Sequence, residues 1–135
     1  MYVINNNEFP SALNRYREFH MPVKLNVDDM KKALTFFEGT HDFKGFMSSG
    51  GNKRKTTVRT LTKCELFEKD GIISVELSGD GFLYNMVRII CGTIVDVGLG
   101  KISACDIPKI IDSGDRTRAG KTLPGQGLYL KEVRY

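Results

Sequence analysis

Between Phe82 and Val97 the chain is almost entirely apolar, yet Asn85, Arg88, Gly92 and Asp96 interrupt it at intervals of 3, 4 and 4. That spacing is helical and puts the four on one stripe. A helix so apolar elsewhere must be buried, so the rest of the chain has to supply a core around it. It is too short to cross a bilayer, which needs about 20 apolar residues, and it carries Asn85, Arg88 and Asp96. Arg88 is the tightest constraint. A guanidinium keeps its proton and is costly to bury without a partner, so it calls for a carboxylate or a phosphate. Asp96, two turns away, or a carboxylate from a sheet could serve from within the chain. The stripe could also be a solvated face.

The segments around this helix give it something to pack on. Val58–Lys69 alternates, with Val58, Thr60, Thr62, Cys64 and Leu66 on one face and Leu61 and Phe67 as exceptions. Asp70-Gly71 suits a tight hairpin turn, because both positions tolerate positive φ. Ile72–Ser78 then returns as a second strand with Ile73, Val75 and Leu77 inward. A helix capped by Asn26 or Asp28 runs to Glu38, stopped by Gly39. A shorter one lies between Ser103 and Ser113, with Asp106 as the better cap and Pro108 in the first turn.

Residues 2–4 read as the stump of a strand, Asn5–Val23 as irregular, His41–Gly51 and Asp115–Gln126 as loops, and Leu128–Tyr135 as a final strand. Strands and helices do not alternate regularly. The expected class is therefore α+β, a mainly antiparallel sheet with helices packed on one face. Residues 1–25 form an N-terminal stump and arm, and 26–135 a single domain. An opening in mid-strand suggests a preceding segment.

The charge of +4 among 135 residues favours an anionic partner without proving one. Two stretches free of acidic residues sharpen this. Phe43–Cys64 holds Lys44, Lys53, Arg54, Lys55, Arg59 and Lys63, and Arg116–Lys131 holds Arg116, Arg118, Lys121 and Lys131. Cations on glycine- and serine-containing loops suit phosphate contacts, although charge runs are commonly just solvated. His41-Asp42 lacks acid–base geometry of its own and reads as loop-ordering. The odd count of cysteines, Cys64, Cys91 and Cys105, with no CxxC, reads as free thiols in a reducing compartment. Two histidines make no zinc pattern, no glycine motif marks a nucleotide cofactor, and no signal peptide is visible. A cytoplasmic protein is the default expectation.

Taken in order, the strings GTHDFKGF (Gly39–Phe46), VRTL (Val58–Leu61), GFLYNMVRIICGTIVDVGLGK (Gly81–Lys101), DRTRAGKT (Asp115–Thr122) and GQGLYLKEVRY (Gly125–Tyr135) resemble the bacterial TruA family of tRNA pseudouridine synthases. The resemblance implies an isomerase that turns uridine into pseudouridine in the tRNA anticodon arm. It implies no cofactor, no metal and a homodimer.

In that family an aspartate of an RTD-type motif, in the N-terminal half, attacks the nucleotide. This chain has Leu61 after Arg59-Thr60 and Arg118 after Arg116-Thr117, so it holds no such motif. It therefore reads as a C-terminal domain whose partner is the N-terminal domain of the same enzyme, and as inactive alone. The resemblance makes Arg88 the partner of the catalytic aspartate and Leu128 a wall for the base. It places His41, Asp42 and Phe43 on a loop shaping the RNA cleft. Lys53, Arg54, Lys55, Arg59, Asn85 and Arg116 complete the expected tRNA-binding set. FLYN stands where many members have His-His or His-Asn before MVR. A stand-alone RNA-binding module, or an interaction domain with merely solubilising loops, would fit the same charges.

Overall fold

A computed structural model describes residues 1–9, 17–48 and 56–129. The described elements are β1 (Tyr2–Asn5), β2 (Phe19–His20), α1 (Val27–Thr35), β3 (Gly39–Asp42), β4 (Val58–Lys69), β5 (Ile72–Gly79), α2 (Met86–Gly98) and α3 (Ile107–Ser113). The strands form one sheet in the order β2-β1-β5-β4-β3. All neighbours are antiparallel except β1 and β2. This is an α+β fold. Tyr2, Ile4, Leu61, Cys64, Leu66, Ile73 and Val75 are buried from the sheet, against Met30, Ala33 and Leu34 of α1 and Met86, Ile89, Ile90 and Ile94 of α2. Each fully buried aliphatic side chain here contributes about 1.5–3 kcal/mol.

The central hairpin follows the expected pattern with one correction. Leu61 and Cys64 both point inward, although two residues lie between them. The pairing with β5 shifts between Leu61 and Lys63, so a bulge at this point resets the alternation. Leu61 is therefore core and Val58 is exposed, the reverse of the simple two-residue period. Phe67 remains outward and exposed. Asp70 and Gly71 both have positive φ, as the turn requires.

Three further boundaries move. The helix expected from Phe82 begins at Met86, because Asn85 sits in the left-handed region at φ 60° and interrupts any helix through it. The loop expected over His41–Gly51 opens within an edge strand, β3, whose last two residues are His41 and Asp42, followed by a 3₁₀ turn over Lys44–Phe46. Its polar sequence hid a strand whose partner is β4, with the hydroxyls of Thr40 and Thr60 bonded at 2.8 Å. The arm after Asn5 includes β2, whose Phe19 and His20 pair with Ile4 and Asn5.

Of the two candidate caps of α1, Asn26 is the one used: its side chain accepts the Asp29 amide at 3.1 Å. The helix ends at Thr35 rather than Glu38, since the next three amides bond carbonyls three residues back. Asp106 precedes α3 with Pro108 in its first turn, but its side chain makes no cap bond. The expected final strand begins with an antiparallel bridge between Leu128 and Tyr2, and residues 130–135 lie outside the described ones.

The segment Gly120–Leu123 lies directly on α2. A Cβ on Gly92 would stand 1.8 Å from the Lys121 carbonyl oxygen, and one on Gly120 would stand 2.6 Å from Gly92 and Thr93 backbone atoms. Two backbones thus touch where neither residue has a side chain. Thr93 fastens the contact: its Oγ1 accepts the Gly120 amide at 2.9 Å and donates to the Ile89 carbonyl at 2.8 Å.

Replacing a mid-helix glycine by alanine ordinarily stabilises by about 1 kcal/mol. Gly92→Ala is expected to do the opposite, destabilising by about 1–3 kcal/mol or more in urea unfolding, because the loop must lift. A second expectation concerns alkaline pH. Burial pushes the Cys91 thiol up to about 12. An unfolded thiol ionises near about 8.5. The stability this group contributes is complete below that pH and is lost as pH rises toward 12. The unfolding free energy from urea titrations should fall between pH 8 and 10 by on the order of 1 kcal/mol per pH unit at most, and less steeply in Cys91→Ala.

Candidate functional site

The fixed loop determines what surrounds Arg88. Leu123, just beyond the contact with α2, turns its carbonyl to Arg88 Nε at 2.6 Å, while its amide donates to the Arg88 carbonyl at 3.3 Å. Asn85 Oδ1 accepts from Arg88 Nη1 at 2.9 Å. Both acceptors are neutral. Among the described residues the ion pairs are those of Lys63 with Glu65 and Glu76, so Asp96 is not paired with Arg88. The half-buried guanidinium is thereby oriented without being neutralised.

Arg88 lines a cleft of about 1030 Å³ between the first turn of α2, Thr62 and Lys63 at the bulge of β4, the end of β5, and the segment after Pro124. Leu77, Phe82, Met86, Val87 and Leu128 give it an apolar wall, and Asn85, Arg88, Lys63 and Glu76 its polar groups. Glu76 is bonded by Lys63 at 3.0 Å. Leu128 is 42% exposed, with its side chain available to a planar ligand. Guanidinium and apolar wall thus face one concavity, a combination suited to an anionic group beside a flat, weakly polar one.

Tyr2 holds the Leu128 side of the cleft. Its hydroxyl donates to the Pro124 carbonyl at 2.5 Å. A Cβ on Gly127 would stand 2.8 Å from its ring, so only glycine lets the chain lie flat on it. Burial raises the Tyr2 hydroxyl above its ordinary pKa, with Cys91 acting the same way and the nearby Arg88 opposing. The amide of Tyr129 donates to the Met1 carbonyl at 2.7 Å, closing the same clasp. The sequence offered no sign of Tyr2 or Leu123. Leu123 acts through its backbone, and Tyr2 through a partner more than a hundred residues away.

Among the described residues, His41, Asp42, Phe43, Arg59 and Arg116 do not line this cleft. His41 and Asp42 lie on β3. His41 Nε2 is 3.0 Å from the Glu38 carbonyl, and its ring meets Phe43 edge to face. Asp42 accepts from the Lys44 amide at 3.1 Å and from the Thr57 hydroxyl, joining the two sides of the basic segment. Phe43, expected with His41 and Asp42 on a loop shaping the RNA cleft, has no exposed surface and packs against Phe46, so within this chain it supports that segment from inside rather than offering a contact surface. Arg59 bonds the carbonyls of Thr56 and Val58. Arg116 bonds the Gly120 carbonyl at 2.7 Å and Thr122 Oγ1 at 3.3 Å, so it braces the loop that meets α2. Lys53, Arg54 and Lys55 lie outside the described residues. Ser48, which precedes them, bonds a residue that lines the cleft: its hydroxyl accepts from Asn85, and its amide donates to the Tyr84 carbonyl.

A family model described as tRNA pseudouridine synthase matches residues 33–135. The chain belongs to that family. It is 54% identical over 134 residues to a tRNA pseudouridine synthase A of Acetivibrio thermocellus, covering 99% of this chain and 54% of the relative. A tRNA pseudouridine synthase A of Ruminiclostridium cellulolyticum is 50% identical over 135 residues, covering 99% and 55%. A protein of Clostridium tetani named tRNA pseudouridine synthase A 2 is 46% identical, covering 100% and 54%. The chain therefore spans about half the length of the curated relatives it matches. None of the helices among the described residues is long and apolar enough to cross a membrane.

Tyr2→Phe keeps the ring but drops the bond to Pro124, and is expected to cost about 0.5–1.5 kcal/mol. Gly127→Ala must displace the segment carrying Leu128 and is expected to cost about 1–3 kcal/mol. Urea unfolding of each variant measures both.

Proposed function

We propose that this chain is the C-terminal domain of a tRNA pseudouridine synthase, and that Arg88 receives the catalytic aspartate of a preceding N-terminal domain. The observation that carries this reading is a half-buried guanidinium in an open cleft, oriented by the Leu123 carbonyl and Asn85 and paired with no carboxylate of the described residues. A carboxylate arriving from outside would find its counter-charge already placed. A charge-assisted pair would orient it and keep it ionised as the nucleophile.

The reading continues into the chemistry. A uridine within a helical arm must leave the stack before its glycosidic bond can be reached. Leu128 would then cover the extruded base while the aspartate attacks the nucleotide. The glycosidic bond breaks, the uracil turns, and C5 joins the ribose as its hydrogen departs. No step needs a cofactor. Lys53, Arg54 and Lys55 would grip the RNA backbone. His41, Asp42, Arg59 and Arg116 would shape and brace the strand and loops around it. The target lies in the anticodon stem-loop, and the enzyme works as a cytoplasmic homodimer. These last points rest on the resemblance to the TruA family.

In the full-length enzyme, Arg88→Ala should lower turnover by at least about 100-fold while leaving tRNA affinity nearly unchanged, as read by hydrogen release from C5-labelled uridine and by tRNA titration. Neutralising Lys53, Arg54 and Lys55 should weaken binding and flatten its dependence on salt. The 135-residue chain should form no pseudouridine by itself. Pseudouridine made by that chain alone would overturn the assignment of the nucleophile. An upstream coding sequence without an RTD-type motif would favour a stand-alone RNA-binding module.

A further inference from the structure

We propose that Asn85 is a positioning residue for Arg88, and that its neutral amide is what leaves the guanidinium charge available in the cleft. This rests on the reading of Arg88 given above. Asn85 occupies the N-cap position of α2, where an asparagine normally accepts an amide of the first helical turn. Here the side chain makes no cap bond at all. Its oxygen is turned to Arg88 Nη1 at 2.9 Å and its nitrogen to Ser48 Oγ at 3.2 Å. The orientation is fixed chemically. A guanidinium has only donors, so the amide must present its oxygen to it and its NH₂ group elsewhere.

The backbone sets up this arrangement. Asn85 adopts φ 60°, a left-handed conformation that asparagine tolerates better than most residues. Arg88 lies three residues further on, so the left-handed residue sits one turn before the arginine and within reach of it. Ser48 anchors the far side of the amide, and its own amide is held by the Tyr84 carbonyl at 3.0 Å. The path from the stem of the basic segment to Arg88 thus runs Ser48, Asn85, Arg88.

The choice of side chain matters because of charge. An aspartate at position 85 could make the same bond to Nη1, but it would neutralise Arg88 from within. A carboxylate from elsewhere would then meet a pair already formed. A glycine would keep the left-handed backbone without strain and remove only the contacts of the side chain. The two substitutions therefore separate geometry from charge.

The test uses the full-length enzyme and a tRNA transcript, with single-turnover rates, tRNA affinity and thermal melting measured for each variant. Asn85→Gly is expected to melt like the parent and bind tRNA equally well, while its single-turnover rate falls by up to about 100-fold as Arg88 loses its alignment. Asn85→Asp is expected to be slower than Asn85→Gly, although it restores an acceptor. Ser48→Ala, which removes only the acceptor of the Asn85 NH₂ group and leaves the bond to Arg88, is expected to lower the rate by a smaller factor.

An unchanged rate in both Asn85→Gly and Ser48→Ala overturns the positioning role. A rate for Asn85→Asp equal to or above that of Asn85→Gly overturns the role of charge. Full activity in Arg88→Ala would instead sink the reading of the site on which the proposal rests. An inactive Arg88→Ala beside a fully active Asn85→Gly overturns the role of Asn85 alone.

Discussion

Where α2 and the loop after α3 meet, backbone lies on backbone. Gly92 and Gly120 leave no room for even a methyl group, and Thr93 bonds across the seam. Contacts of this kind are stiff, because there is no side chain to adjust. The consequence reaches beyond the seam itself. Leu123 follows within a few residues, and its carbonyl is delivered to Arg88 Nε. Pro124 comes next and accepts the Tyr2 hydroxyl, and Gly127 then lies flat on the Tyr2 ring. The position of the guanidinium and of Leu128 is therefore inherited from one close approach between two glycines.

The same arrangement resolves the question of how a cation can sit on an otherwise apolar helix. Arg88 is satisfied by two neutral oxygens, one from the backbone and one from an amide. Hydrogen bonding offsets its desolvation while no carboxylate among the described residues pairs with its charge. Glu76, an acid in the same cleft, is engaged by Lys63 instead. Together with membership of the tRNA pseudouridine synthase family, this charge gives the proposed function its physical basis.

Much of the architecture was legible in local pattern. The Asp70-Gly71 turn fixed the central hairpin, the apolar run before Gly98 marked the buried helix, and Asn26 capped α1 as its chemistry suggests. The misreadings also have local causes. The bulge between Leu61 and Lys63 breaks a two-residue period that has no means of announcing a break. β3 is polar because it is an edge strand, stabilised by pairing with β4 rather than by burying both faces. Asn85 looked like the first member of a helical stripe, but its left-handed backbone makes it the residue before the helix.

By itself the sequence determined that a buried helix would carry a cation needing a partner, because an arginine cannot become neutral and an apolar helix cannot remain in water. It also carried the motifs that identify the family. Only the tertiary structure decided which oxygens meet that cation, since they come from Leu123, whose backbone carries no side-chain signature, and from Asn85 in a conformation no spacing rule reveals. It likewise separated Arg88 and Leu128, which share a cleft, from Phe43, which lies in the core. Spacing along a chain fixes which residues share an element. Which elements share a concavity depends on packing between segments far apart in sequence.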